Sequence, residues 1–581
     1  MKKGRIDQKT MLALCGALLG VLAFFLIFGA RGLDVTDDSW ILSGYVDRDI
    51  VQHYTGWLFY REAPLSYPLC ISGAMNYPYG TSALFTDSIP IACVLFRLIE
   101  PLLPETFQYF GLWVLMCFVL QGVFASLTLS MLIDSKIANL LGTLLLVFSP
   151  VMIERCYRHT ALASQFLILA AFYLYFKNKK KPYRFRVGYL LLSLFAPMIH
   201  TYFVPMVCAI LFADLVEHAF KKKDFLRSLA FLAANLATVL FSFYSVGFFS
   251  QSKSDLHSGY GIFCFNFNSF FNPVSSNDVR WSQILPSWNV VFIYENFVYL
   301  GLGMLFACFL IGLYLLLFWK RTRPFDYIKR YPALFGVCVC LTAFAVSNIV
   351  TVNERRFLLF DLPESIQRLA DMLRSSSRLF WPVYYLIFLF VIVFLARRVR
   401  RVRRTNVGAI LLAALLCVQL GDMAPTLYEK HVDFDTGSPH HDDPTAAAFF
   451  RENGDAFDHI VAIGDQEVIR GMYIDLWAAK NGMTTNDAFF ASVDFEQYAV
   501  YANEQYEKLL RGELDARTLY VFTSYEQYAA AAEACADSAT AAQVSYYFML
   551  IPNSGSLYLP PVCGDPNEPE LPERFLPYGS Y

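Results

Sequence analysis

Residues 49–62 read DIVQHYTGWLFYRE. Asp49, His53, Trp57 and Arg61 recur every fourth position, which sets a carboxylate, an imidazole, an indole and a guanidinium along one face of a helix. Such a set can take a proton from a hydroxyl and receive an anion beside it. Just upstream, RGLDVTDDSW brings Asp34, Asp37 and Asp38 close together, and Asp87 follows in NYPYGTSALFTDSIP. Neighbouring carboxylates suit a general base or the ligands of Mg²⁺ or Mn²⁺; the plainer account is a capped, solvated loop. ERCYRHTALASQ supplies Glu154, Arg155, Arg158 and His159. Guanidinium forks match phosphate, so Arg155 and Arg158 read as phosphate ligands with His159 and Arg61 beside them, and ion pairing with Glu154 or a loop Asp is the structural alternative. ESIQRLADMLRSSSRLFWPVYY adds Arg374 and Arg378 next to aromatic rings that suit sugar stacking, whereas His200, beside Tyr202, reads as a packing group.

The elements that must position these groups are membrane helices. The chain has 581 residues, 56% of them hydrophobic, with 54 Phe and 35 Tyr, and its mean hydropathy is +0.41. One soluble core would not absorb that composition. The first apolar window, 11–30, can span about 30 Å of hydrocarbon at about 1.5 Å per residue. Lys2, Lys3, Arg5 and Lys9 precede it, so it reads as a signal anchor with a cytoplasmic N-terminus; a cleaved signal peptide has a shorter apolar core of about 7–15 residues. Further windows lie near 106–132, 136–154, 160–176, 187–202, 203–220, 225–248, 297–319, 332–352, 379–396 and 405–425, which makes eleven spans. The stretch 84–104 is apolar but carries Asp87, Arg97 and Glu100, and a span there would put every basic connection outside. It is expected at the outer interface, or dipping in and returning.

Basic runs at 177–186, 221–224, 320–330 and 397–404 mark cytoplasmic connections. That leaves 31–105, 249–296, 353–378 and the turn 154–160 on the outer face, where the polar candidates gather. Beyond 425 the character changes: residues 426–581 hold 8 Lys or Arg against 25 Asp or Glu, with short apolar runs such as HIVAIG and TLYVFTS between helical stretches. The expectation is an α-helical polytopic membrane protein, with residues 1–425 (first outer loop 31–105 included) as the membrane domain and 426–581 as a soluble extracytoplasmic α/β domain. The chain has no Walker A loop and no dinucleotide glycine fingerprint, its 13 Cys show no metal spacing, and no nucleic-acid partner is expected. Cys535 and Cys563 stand in the exported tail, where a disulfide is permitted.

This architecture resembles the GT-C superfamily of integral-membrane glycosyltransferases. DIVQHYTGWLFYRE, NYPYGTSALFTDSIP, ERCYRHTALA, GYG, YLGLG and RSSSRLFWPVYY look more closely like an uncharacterised bacterial membrane-protein family usually placed beside that superfamily, and the likeness runs along most of 31–425. The resemblance implies a polyprenyl-phosphate sugar as donor and a cell-envelope glycan or protein as acceptor, in a bacterial plasma membrane. It further implies an acidic base among Asp34, Asp37, Asp38 and Asp49; the helical spacing itself favours Asp49, with His53 one turn beyond it and Arg61 three turns along the same face. By the same implication Arg155, Arg158 and His159 hold the donor phosphate; Trp57, Asp87, Arg374 and Arg378, read from their own residue types, are expected near the substrate. A flippase or transporter of lipid-linked saccharide, and a cell-surface oligosaccharide polymerase, are the rival readings.

Overall fold

The computed structural model describes residues 7–42, 48–180, 186–250, 260–275, 279–291, 293–323, 325–398, 407–436, 444–465, 473–487, 495–553 and 558–559. The chain divides into two compact units, one from 1–37, 108–242 and 256–437, the other from 38–107, 243–255 and 438–581.

The first unit is helical. Among the described residues eight helices are long and apolar enough to cross a membrane: Gln8–Phe28, Phe110–Leu132, Lys136–Arg155, Thr160–Lys180, Phe203–Lys221, Phe225–Ser245, Ser376–Arg397 and Val407–Val432. Three shorter apolar helices, Val187–Ile199, Leu302–Leu317 and Pro332–Val346, fall in the remaining apolar windows. The stretch 84–104 holds only the eight-residue helix Pro90–Arg97 and a turn of 3-10 helix, too short to span.

Hydrocarbon offers no hydrophobic drive between helices, so their contacts rely on close backbone approach and polar ties. The pair Gln8–Phe28 and Phe110–Leu132 shows both. The sequence GALLG puts Gly16 and Gly20 four residues apart on one face. A Cβ at Gly16 would run into the Gly122 carbonyl, and one at Gly20 into the Phe118 carbonyl. Ser126 ties the same crossing, its hydroxyl 2.9 Å from both the Leu12 carbonyl oxygen and Asn139 Oδ1.

The second unit is the α/β body. Its main sheet has five strands among the described residues, in the order Thr484–Thr485, His459–Ile463, Thr518–Phe522, Tyr547–Pro552, Ala539–Val544, the first three parallel and the last two antiparallel to their neighbours. The central strand, TLYVF, is buried at every position, as expected where helices cover both faces. The first loop, read from sequence as an appendage of the membrane domain, shares this unit's core: Phe59 and Met75 pack in one cluster with Phe449, Ile460, Leu519 and Met549. Residues 74–77 pair with the short edge strand, Thr485 N–H donating to the Ala74 carbonyl (2.9 Å) and Tyr77 N–H to the Thr485 carbonyl (2.8 Å). Tyr77 also stacks on His459 at 5.2 Å. Cys535 is buried, its thiol directed at the Leu509 carbonyl; Cys563 lies outside the described residues.

Replacing Gly16 with Leu forces the two helices apart, and an overpacked contact costs about 1–3 kcal/mol. The thermal midpoint of the detergent-solubilised protein should fall for Gly16→Leu and hold for Gly312→Leu, where an added Cβ meets nothing within 4 Å; equal midpoints would remove the crossing from the account of stability.

Candidate functional site

In the second unit, helix Arg48–Glu62 carries Asp49 in its first turn and Arg61 in its last. Asp49 is half-buried, and His53, Trp57 and Arg61 are buried. The aromatic residues of the helix, Trp57, Phe59 and Tyr60, are packed inside protein, and the Trp57 indole N–H donates to the Phe107 carbonyl at 3.0 Å. Arg61, read as a phosphate ligand, donates to Glu100 (3.2 Å) and the Pro104 carbonyl (2.9 Å), which pins the segment 100–105.

The arrangement around His53 comes from a tight fit to the following loop. Gly56 faces that loop, and a Cβ there would strike the Thr86 and Ser88 hydroxyls. Those hydroxyls lie 2.7 Å apart, and Ser88 donates to the His53 carbonyl at 2.6 Å. Between them Asp87 takes a left-handed backbone, φ 55°, and Ile89 does the same at φ 59°. Non-glycine residues in this region cost about 1–3 kcal/mol each, and such outliers concentrate at functional sites. The result is a carboxylate oxygen of Asp87 within 4.8 Å of a ring nitrogen of His53.

A second carboxylate of this unit is Asp38, which accepts from the Tyr54 hydroxyl at 3.1 Å and meets Lys480 at 3.4 Å. Burial, and then the Asp38 charge, push the Tyr54 phenol well above its ordinary 10, so it stays protonated as a donor. Neither Tyr54 nor Lys480, on helix Ile474–Lys480, was singled out from sequence. Tyr54 sits one position beyond His53, and Lys480 has no local signal at all. Asp47, two before Asp49, completes an Asp-Arg-Asp spacing suited to a divalent cation that a reading along one helix face passed over; Asp47 lies outside the described residues.

Asp34 and Asp37 belong to the first unit. Asp34 accepts from the Thr36 hydroxyl (2.6 Å) and N–H (2.9 Å), which lower its pKa, and Asp37 pairs with Arg31 at 3.1 Å. Both do the work of a capped loop. His200 likewise accepts the Tyr202 N–H at 3.2 Å, the packing role expected of it.

The first unit also gathers the arginines. Pro150 opens the helix Pro150–Arg155 at its first turn, and the turn that follows presents Arg158 and His159. Glu295 accepts from Arg155 (3.1 Å) and from Arg378 Nε (2.9 Å), with a second Arg378 contact and His159 at 3.7 Å. Glu154 accepts from Arg158 and the Trp281 indole, each at 3.1 Å, and meets Lys430 at 3.3 Å. All five Glu and Arg side chains are buried. Arg155 lies over the Trp381 ring at 5.8 Å and Arg378 over Tyr202 at 4.7 Å. Burial alone would raise the Glu295 carboxyl, yet Arg378 and Arg155 hold it at about 2. The ion-pair alternative therefore describes these arginines as they stand, with Glu295 rather than a loop Asp as the main partner. Glu295 went unnoticed in the sequence, although an acid directly ahead of an apolar window was a usable signal. Arg374 is exposed and stands apart from this network.

Residues 17–424 match the family described as a domain of unknown function, DUF6311, and residues 449–552 match the DUF6311 C-terminal domain. No curated protein matches the chain.

Removing the charge of Glu295 leaves two guanidinium groups buried against an amide, a loss of about 3–5 kcal/mol. Glu295→Gln should lower the unfolding midpoint strongly. Glu364→Gln, which breaks an exposed pair with Arg368, should cost under about 1 kcal/mol. Because the Glu295 carboxyl ionises at about 2 instead of 4.5, its contribution is complete above pH 4.5 and drains away as pH falls toward 2. Similar midpoints for the two variants would refute a central role for Glu295.

Proposed function

We propose that this chain, which belongs to the DUF6311 family, is a membrane glycosyltransferase that moves a sugar from a polyprenyl-phosphate donor to a cell-envelope acceptor. The observation that carries the reading is Asp87, held in a left-handed backbone within 4.8 Å of the His53 ring. Strain kept at a carboxylate beside an imidazole serves proton transfer better than it serves packing. In the reaction, a carboxylate takes the proton of the acceptor hydroxyl as its oxygen bonds to the anomeric carbon. The bond from that carbon to the lipid phosphate breaks, the phosphate leaves with the electron pair, and the configuration inverts.

Asp87 thereby joins Asp49 as a base, since Asp49 lies one helical turn before the same histidine. Asp38, held by Tyr54 and Lys480, is better suited to orienting a hydroxyl. Arg155, Arg158 and His159 remain the groups offered to the phosphate; the Arg155 and Arg378 forks already converge on the carboxylate of Glu295, and phosphate asks for the same geometry. Mg²⁺ or Mn²⁺ would find ligands in Asp87 and His53. Transport of a lipid-linked saccharide would instead call for paired ionisable groups near the middle of the spans.

Eleven spans, with the three shorter apolar helices counted, put the N-terminus and the basic connections in the cytoplasm and the tail outside a bacterial plasma membrane. A cysteine placed at the exposed Glu504 should react with a membrane-impermeant maleimide in intact cells; labelling only after lysis would reverse the orientation.

Loss of a general base slows transfer about 10² to 10⁴-fold. Asp87→Asn or Asp49→Asn should reduce sugar transfer from a radiolabelled polyprenyl-phosphate sugar by that order while donor binding persists, and Asp34→Asn should leave it near normal. Full transfer by both the Asp87 and the Asp49 variants, or none by the unaltered protein with any such donor, would defeat the proposal.

A further inference from the structure

Far along the same helices the first unit carries a second polar feature. Helices Phe203–Lys222 and Trp381–Arg398 start beside the Glu295 network, at Tyr202 and Trp381, and carry Lys221 and Arg397 in their last turns. There a cavity of about 740 Å³ opens among helix ends, lined by five cations, Lys179, Lys180, Lys221, Arg330 and Arg397, with Tyr331 and one acid, Asp134. These cations come from four separate helices, the basic residues of the neighbouring connections flank them in sequence, and Leu132, Ile133 and Phe176 supply an apolar wall.

Three of the cations are structural. Lys179 is bound to Glu217 and lies 4.3 Å from the Tyr331 ring centre, while Arg397 Nε donates to the Leu132 carbonyl at 2.8 Å and caps the end of that helix. Glu217 is kept in place by the Tyr175 hydroxyl at 2.8 Å and by Lys221 at 3.4 Å. Lys180 and Arg330 are exposed at the rim. Basic connections are general in membrane proteins. A cavity with a braced floor, an apolar wall and a cationic rim is more particular, and basic pockets between helix ends are places where anionic headgroups dock.

We infer that this cavity is a binding site for a phosphate group, with an anionic phospholipid headgroup and a soluble phosphate as its two sources. The rim cations meet the phosphate oxygens, and Leu132, Ile133 and Phe176 take the start of an acyl chain when the ligand is a lipid. The site is lined wholly by residues of the first unit and does not rest on the glycosyltransferase reading.

The full chain, purified in detergent, is titrated with short-chain phosphatidylglycerol, with phosphatidylcholine of the same chains, and with inorganic phosphate, and bound ligand is counted by native mass spectrometry and by thermal shift. Phosphatidylglycerol should bind and weaken as salt rises, and phosphatidylcholine should not bind comparably. At roughly 1 kcal/mol per basic residue, Lys180→Gln with Arg330→Gln should weaken it by about 20- to 30-fold. Inorganic phosphate binding with the same sensitivity to the two substitutions, without a preference for the lipid, assigns the site to the soluble source. Equal binding of phosphatidylcholine, binding that ignores salt, or binding of neither anion overturns the inference, and the salt titration of the unaltered protein decides even if the double variant fails to fold.

Discussion

The meeting of Arg155 and Arg378 on Glu295 is the contact on which the helical unit depends. Two guanidinium groups stripped of water are unfavourable unless a carboxylate stands between them with its oxygens aligned, and that demand fixes three segments at once. It holds the turn after Pro150–Arg155, the acid at 295 and the start of Trp381–Arg398 in one place. Glu154 repeats the device with Arg158, Lys430 and Trp281. Aromatic rings under the arginines add favourable contact where water is excluded. The same rigidity bears on function, because a phosphate brought to these arginines would have to enter against carboxylates already in place or join them through donors that remain.

The helix crossings obey a different constraint. Gly16 and Gly20 let backbone touch backbone at the first crossing, and Ser126 and Asn139 spend their polar atoms on neighbouring carbonyls and on one another. Small residues and satisfied amides are what hold helices together when the solvent is as apolar as the side chains.

In the second unit the governing problem is a sheet edge. A two-residue strand at Thr484–Thr485 would expose unpaired backbone groups, and residues 74–77 of the first loop supply the missing partners. The loop thereby gains a hydrophobic core it could not build alone, with Phe59 and Met75 set among C-terminal residues. Its backbone can then hold Asp87 in a conformation that an unsupported loop would relax.

Local sums were legible in the sequence. Each apolar stretch reports its own transfer free energy, so the windows at 11–30, 106–132, 136–154 and their successors reappear as apolar helices, and the alternating acidic tail reappears as a mixed sheet with helices. The helical spacing of Asp49, His53, Trp57 and Arg61 was legible for the same reason. Pairings across long stretches of chain were not. Glu295 lies 140 residues from Arg155, Lys480 far from Asp38, and residues 74–77 far from Thr485; nothing in the local pattern of either partner specifies the other. Periodicity and hydropathy tell a segment which solvent it prefers, whereas the choice of carboxylate for a buried guanidinium, and of loop for an open strand, is made only when all segments compete for the same burial.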